Sequence, residues 1–213
     1  LNQIVEEIAT KHQRLDGLIA AAGIQQETPA LEYSAQDCDN MFSVNVTGCF
    51  MTAQAAARQM VRFGNGGSIV LIASMSGTIA NRVCFLPLPS PLLKTTGLPF
   101  LHIAKLASTQ GLICPAYNAS KAGVLQLARN LASEWGVHNI RVNTISPGYI
   151  VTAMVEALFE KFPERKTEWP KQNMLGRLSA PEEYRGAAAF LISDASSFMT
   201  GSDLRMDGGH SAW

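Results

Sequence analysis

Neither sign of charge dominates the 213 residues: 17 Lys and Arg stand against 17 Asp and Glu. That balance excludes a strongly basic nucleic-acid binder and an acidic solvating tail. Cysteine is scarce. Cys38, Cys49, Cys84 and Cys114 are far apart, with no CxxC pair and no His at metal-ligand spacing, so neither a disulfide framework nor a metal site is expected. Buried free thiols in a reducing, cytoplasmic compartment are the expectation instead. No basic-then-apolar leader opens the sequence. The most lipid-like stretch, residues 83–107, carries Lys94 and Lys105 and is broken by Pro87, Pro89, Pro91 and Pro99, which argues against a membrane span. An initiator Met is also lacking, and Leu1 falls inside a helical pattern. What is present is a 47% hydrophobic chain of mean hydropathy +0.08, enough for one ordered core.

Helical and strand patterns alternate along the chain. Ile4, Val5 and Ile8 recur at helical spacing over residues 1–13. The run Leu18, Ile19, Ala20, Ala21, Ala22, Gly23 reads as a buried strand closed by a glycine turn. Ser34 then caps a long helix over residues 35–62, ended by Gly64. A second buried strand covers 68–73, a strong helix 115–135, a third strand 140–145, and a short final strand begins at Asp203. Between them, residues 150–175 are charge-mixed and look mobile, and Pro181 with Glu182 and Glu183 signals a helix start. This alternation predicts an α/β fold with a parallel sheet covered by helices on both faces. In such sheets ligands sit beyond the carboxyl ends of the strands, at Gly23, Ser74, Pro147 and Gly148, and Asp207 to Gly209.

The chemistry gathers at those ends. Tyr117 and Lys121, four apart, project to one side of a helix. A phenol with pKa near 10 is a poor acid or base at neutral pH, and a nearby ammonium would lower that value. The Ser74 hydroxyl could hold the same substrate oxygen. YxxxK alone usually marks nothing more than a surface helix. Here Asn45-Val46-Thr47-Gly48, Ser74-x-x-Gly77, Tyr117-x-x-x-Lys121 and Pro147-Gly148 occur in one order, and over nearly the whole chain the sequence resembles the short-chain dehydrogenase/reductase family. The resemblance implies a Rossmann-like three-layer fold and a nicotinamide cofactor, NADP or NAD, with NADP favoured by the branch. It implies that Tyr117 transfers a proton, that Lys121 lowers its pKa and holds the nicotinamide ribose, that Ser74 orients the substrate oxygen and that Asn45 supports a relay water. Ala22 and Gly23, where the family has Asn-Asn-Ala-Gly, would line the cofactor with Pro147, Gly148, Ile150 and Thr152.

The segments around Ser74, Tyr117 and the terminal Asp207-Gly208-Gly209 look like the fungal branch that includes sorbose reductases and mannitol and arabinitol dehydrogenases. This implies a small carbonyl or polyol substrate and a homo-oligomeric parent, a tetramer or dimer, with no nucleic-acid or membrane partner. Met154, Leu158, Phe159, Phe162 and Trp169 could form a lid or simply pack on the core. An inactive fragment or binding-only homologue is the alternative from another class, and an epimerase or dehydratase using the same Tyr/Lys pair is a third.

Two departures stand out. The Gly-rich turn that would grip the cofactor pyrophosphate is not in the sequence, so the chain is expected to be an N-terminally truncated part of the domain, lacking its first strands. The second is residues 83–110, which hold no Asp or Glu, four Pro and seven Leu. They set Ser74 and Tyr117 43 positions apart; without them the spacing is 15, which suits the motif. Val codons begin GT and one Gln codon is CAG, so these 28 codons could be a retained intron rather than a substrate-covering or membrane-touching loop. Sequencing the mature transcript tests this: the expected message lacks the 84 nucleotides, and an abundant in-frame message containing them would refute it.

Overall fold

The computed structural model describes residues 1–83 and 110–213. Four parallel strands form the main sheet in the order β1-β2-β5-β6. They are β1 (Gly17–Ala20), β2 (Gly67–Ile72), β5 (Ile140–Pro147) and β6 (Asp203–Met206). Two short strands, β3 (Arg82–Val83) and β4 (Gln110–Gly111), pair antiparallel apart from it. Side chains alternate across the central strand β2. Ile69 and Leu71 face a core built from Ala53, Ala56 and Met60 of helix α3 (Cys49–Phe63) and Val124, Ala128 and Leu131 of helix α4 (Pro115–Trp135). Val70 faces the opposite way, toward Leu191 of helix α7 (Arg185–Ile192). Burial on both faces explains why β2 reads as an unbroken apolar run. The small residues of α3 let that helix sit close to the sheet.

Several expectations needed revision. The helix expected over 35–62 is three pieces: α2 (Ala35–Phe42), a π-helical turn (Ser43–Gly48) and α3. Ser34 caps its start as expected, accepting from the Asp37 amide at 3.0 Å. Residues 150–175 look mobile in sequence but fold into α5 (Ala153–Lys161) and α6 (Arg165–Lys171), with Trp169 buried against Tyr149 at 4.1 Å between ring centroids. Aromatic packing outweighs the charge-mixed composition there. The helix signalled at Pro181 is a 3₁₀ turn (Pro181–Tyr184) leading into α7. In α1 (Asn2–His12) only Ala9 is fully buried, and Ile4 and Ile8 are exposed. Cys38, Cys49 and Cys114 are free thiols. Cys84 and the Met154 side chain lie outside the described residues.

Most of the segment 83–110 also lies outside them, but its two ends are described. Arg82 pairs with Gly111, Val83 with Gln110, and the Leu112 amide donates to the Asn81 carbonyl at 2.9 Å. The chain therefore leaves and returns at one place, and paired antiparallel residues have Cα atoms only about 5 Å apart. Joining Arg82 to Gly111 asks for little rearrangement. Deleting 83–110 from the whole protein should preserve cooperative thermal unfolding and shift Tm by less than about 5 °C. Loss of cooperative unfolding in calorimetry would make the segment an integral part of the fold.

Candidate active site

Beyond the end of β2 the chain turns at Ser74, whose extended backbone caps the 3₁₀ turn Met75–Gly77. The Ser74 Oγ accepts from the Ser76 amide at 3.1 Å. The neighbouring Ser76 Oγ accepts instead from Asn81 Nδ2 at 2.6 Å. Ser74 is the serine whose side chain acts on the Tyr117 phenol, favouring its ionised form. The glycine three residues on has a steric reason. A Cβ on Gly77 would lie 2.8 Å from the Lys121 carbonyl carbon and 2.9 Å from its oxygen, so only glycine lets this turn meet α4.

Helix α4 opens with Pro115 in its first turn, where the missing amide costs nothing. Its buried stripe includes Ala116, Ser120, Val124, Leu125 and Ala128, and Lys121 lies on that same stripe. The Lys121 Nζ donates to the Ile72 carbonyl at 2.8 Å and sits 5.7 Å from the Tyr117 ring centroid. Burial lowers the Lys121 pKa, with the nearby Cys49 thiol opposing. The Tyr117 phenol is shifted the other way from the direction expected: burial raises its pKa above the ordinary value, and Ser74 only partly offsets this. The Lys121 ammonium itself is directed at the end of β2. Burial likewise pushes the Cys114 and Cys49 thiols up to about 11, leaving both unreactive as nucleophiles near neutral pH.

Asn45 lies in the π-helical turn, a deformation that often marks functional sites. Its side chain is 1% exposed and clasps the backbone of Ile24: Oδ1 accepts from the Ile24 amide at 2.8 Å, and Nδ2 donates to the Ile24 carbonyl at 3.0 Å. Nδ2 also reaches the Ser120 Oγ at 3.0 Å, and Ser120 donates to the Tyr117 carbonyl at 2.7 Å. One amide thus joins the loop after β1 to the helix that carries Tyr117. Ala22 and Gly23 are exposed at the start of that loop. A Cβ on Gly23 would fall 3.3 Å from Asn45 Oδ1 and 3.4 Å from Lys121 Nζ.

Pro147 and Gly148 end β5. A Cβ on Gly148 would lie 2.7 Å from the Asp207 Cα, so the glycine permits the terminal turn to pack here. Burial raises the Asp207 pKa, but hydrogen bonds from Ser211 and from the Gly209 amide outweigh it and leave the pKa below its ordinary value. Ile150 bridges to Ser179, and the Thr152 hydroxyl caps α5, accepting from the Val155 amide at 3.4 Å. A cavity of about 220 Å³ behind this loop is lined by Tyr149, Asn173, Arg177, Tyr184 and Asp207, apart from Ser74, Tyr117 and Lys121. Ser74, Tyr117, Lys121, Asn45 and Gly23 therefore form one connected group, while Ile150 and Thr152 stand in the neighbouring loop. The sequence reading missed the Ile72 carbonyl and the ion pair of Glu27 with Arg165, for which no local pattern exists. Among the described residues no three His, Cys, Asp or Glu side chains could hold a metal, and no helix is long and apolar enough to cross a membrane.

Residues 1–85 match the protein-family model for short chain dehydrogenases, and residues 93–211 that described as enoyl-(acyl carrier protein) reductase. The chain is 41% identical over 197 residues to a D-arabinitol 2-dehydrogenase (ribulose-forming) of Candida tropicalis, covering 92% of this chain and 60% of that protein. It is 32% identical to a 2-dehydro-3-deoxy-D-gluconate 5-dehydrogenase of Dickeya dadantii, covering 97% and 69%. Among solved structures, a short-chain type dehydrogenase/reductase from Mycobacterium marinum is 35% identical with a TM-score of 0.78, covering 99% of this chain and 70% of that one. A gluconate 5-dehydrogenase from Burkholderia cenocepacia, in complex with NADP and tartrate, is 27% identical with a TM-score of 0.79, covering 100% and 71%. The chain spans about 60% of the length of the Candida tropicalis relative.

The amide clasp has a measurable consequence. Asn45→Ala removes both partners of Ile24 and one of Ser120, and should lower stability by about 1–3 kcal/mol in denaturant unfolding. A change within about 0.5 kcal/mol would mean that the clasp holds nothing together.

Proposed function

The chain belongs to the short-chain dehydrogenase/reductase family, and from that premise we propose that its parent protein is an NAD(P)-dependent oxidoreductase interconverting a carbonyl and a secondary alcohol on a sugar or polyol. The observation that carries this reading is the convergence of Ser74, Tyr117 and Lys121 at the sheet's carboxyl edge, where the buried Lys121 Nζ lies 5.7 Å from the Tyr117 ring centroid.

The residues present fit the nicotinamide end of such a cofactor. Gly23 offers bare backbone beside the Lys121 ammonium, where any side chain would crowd Asn45 and Lys121. Ala22, Gly23, Tyr117 and Lys121 would hold the ribose side, and Pro147, Gly148, Ile150 and Thr152 the carboxamide side. When bound, the nicotinamide supplies or accepts the hydride. NADP is the favoured form, supported by NADP in the solved gluconate 5-dehydrogenase.

The proton is the work of this chain's own residues. Tyr117, kept protonated by burial, gives its phenolic proton to the carbonyl oxygen as that oxygen gains negative charge. Ser74 accepts the Ser76 amide and keeps its hydroxyl hydrogen to donate to the same oxygen. Lys121 retains two ammonium protons beyond the one held by Ile72 and stabilises the phenolate left behind. Asn45 positions the group, since its side chain is already engaged by Ile24 and Ser120. The same reading takes the parent to be a homo-oligomeric cytoplasmic enzyme.

Because the raised phenol pKa keeps Tyr117 protonated through and above neutral pH, carbonyl reduction should hold up to the ordinary phenol range near 10, whereas alcohol oxidation should rise with pH toward it. In the whole protein, Tyr117→Phe should reduce NADPH-dependent carbonyl reduction at saturating NADPH by about 10²–10⁴-fold. Undiminished turnover in that variant would overturn the assignment. NADPH quenching of Trp fluorescence in the whole protein but not in the 213-residue chain would identify the chain as a non-binding fragment.

A further inference from the structure

The phenol that moves the proton stands on the weakest part of its helix. Tyr117 is the third residue of α4, which opens with Pro115, and Cys114 before it supplies no side-chain cap. First turns lack the intrahelical partners of later ones and fray most readily. A residue whose phenol must meet a substrate oxygen therefore needs that turn held from elsewhere. Ser120, one turn further on, is fully buried and donates from its Oγ to the Tyr117 carbonyl at 2.7 Å. The same Oγ accepts from Asn45 Nδ2 at 3.0 Å, across 75 positions of sequence. These bonds run in one direction. The Asn45 Oδ1 is turned to the Ile24 amide, so Nδ2 is the end that meets Ser120, and the serine's one hydrogen is left for the carbonyl. Gly123, the next turn of α4, continues the contact: a Cβ there would lie 3.5 Å from Val46 Cγ2 of the π-helical turn.

We infer that Ser120 is a positioning residue for the proton transfer: its hydroxyl ties the uncapped first turn of α4 to the π-helical turn and so fixes where Tyr117 places its phenol. The inference rests on the dehydrogenase reading above and adds to it a residue that acts through Tyr117. A serine that bonds back to the preceding turn gives a helix little stability of its own. Here the back-bond has a second partner on another element, and that partner is what anchors the turn. Removing the hydroxyl weakens the hold on the Tyr117 carbonyl and takes one acceptor from a buried Asn45 N–H. Lys121 is anchored separately, through the Ile72 carbonyl, so the loss falls on Tyr117 first. A misplacement of about 1 Å can cost about 10²-fold in rate, so a small shift of this turn is enough to slow the reaction.

The test uses the whole protein with NADPH and ribulose. Ser120→Ala should lower kcat by at least about tenfold while KM for either compound changes by less than about threefold. Ser120→Thr and Ser120→Val separate the hydroxyl from packing, because both add similar bulk to the buried site and only threonine keeps the bond. The threonine variant should exceed the valine variant in kcat by at least about tenfold. Equal rates for that pair, or wild-type kcat in Ser120→Ala, would overturn the inference. If Ser120→Ala does not fold, the threonine and valine pair decides. If that pair does not fold, Ser120→Ala decides, with amide hydrogen exchange as its second measurement. Exchange should quicken by at least about tenfold at residues 118–121 while residues 124–135 keep their wild-type protection. Unchanged exchange, or a uniform rise along the helix, would count against Ser120 as the anchor. If wild type reduces no carbonyl with NADPH or NADH, the dehydrogenase reading falls separately, and the exchange comparison alone decides whether Ser120 holds the turn.

Discussion

The arrangement of the site depends on burying one ammonium ion. Lys121 lies on the inward stripe of α4, where an unpaired charge would be costly to desolvate. Its Nζ is held by the Ile72 carbonyl, at the end of the central strand, which fixes the position of the helix along the sheet. From there the geometry follows. The turn after β2 must pass close to the Lys121 backbone, which requires Gly77, and the same turn presents Ser74 to Tyr117 one helical turn earlier. On the other side, the loop after β1 passes close to Nζ and Asn45 at Gly23, where a Cβ would be a tight fit. Three separate sequence motifs thus share a single packing problem.

That sharing explains why the grouping of these residues was readable in sequence and also where the reading stopped. Gly23, Ser74, Gly77, Tyr117, Lys121 and Gly148 follow strand ends or recur at helical spacing, and both are local properties of the chain. The strands were equally legible, because two-sided burial of β2 leaves a continuous apolar run. The π-helical turn around Asn45 was not, since the segment 35–62 keeps helical propensity across it and only the clasp on Ile24 fixes the extra residue. The order in 150–175 was hidden for a related reason. Its charges suggested exposure, but Trp169 finds Tyr149 and Arg165 finds Glu27, and both partners are remote in sequence.

The pKa of Tyr117 shows the same limit in energetic form. Spacing places an ammonium near a phenol, and proximity by itself lowers the phenol pKa. Burial acts in the opposite direction, and its size depends on how the finished fold surrounds the ring, which no spacing encodes. Here burial dominates, so the group rests as an acid.

The loop 147–152 shows how remote contacts complete the arrangement. Gly148 packs on Asp207, whose carboxylate binds the Gly209 amide and Ser211, so the end of β5 is positioned by residues near the carboxyl terminus. Tyr149 meets His210 edge-on at 5.4 Å between ring centroids and stacks on Trp169, which lies beside Arg165. Arg165 then holds Glu27 in the loop that Asn45 clasps by way of Ile24. The contacts run from the terminal turn through α6 to the loop after β1 and back toward Tyr117. Removing a local hydrogen bond affects one link, whereas removing the Glu27–Arg165 pair uncouples α6 from the loop after β1.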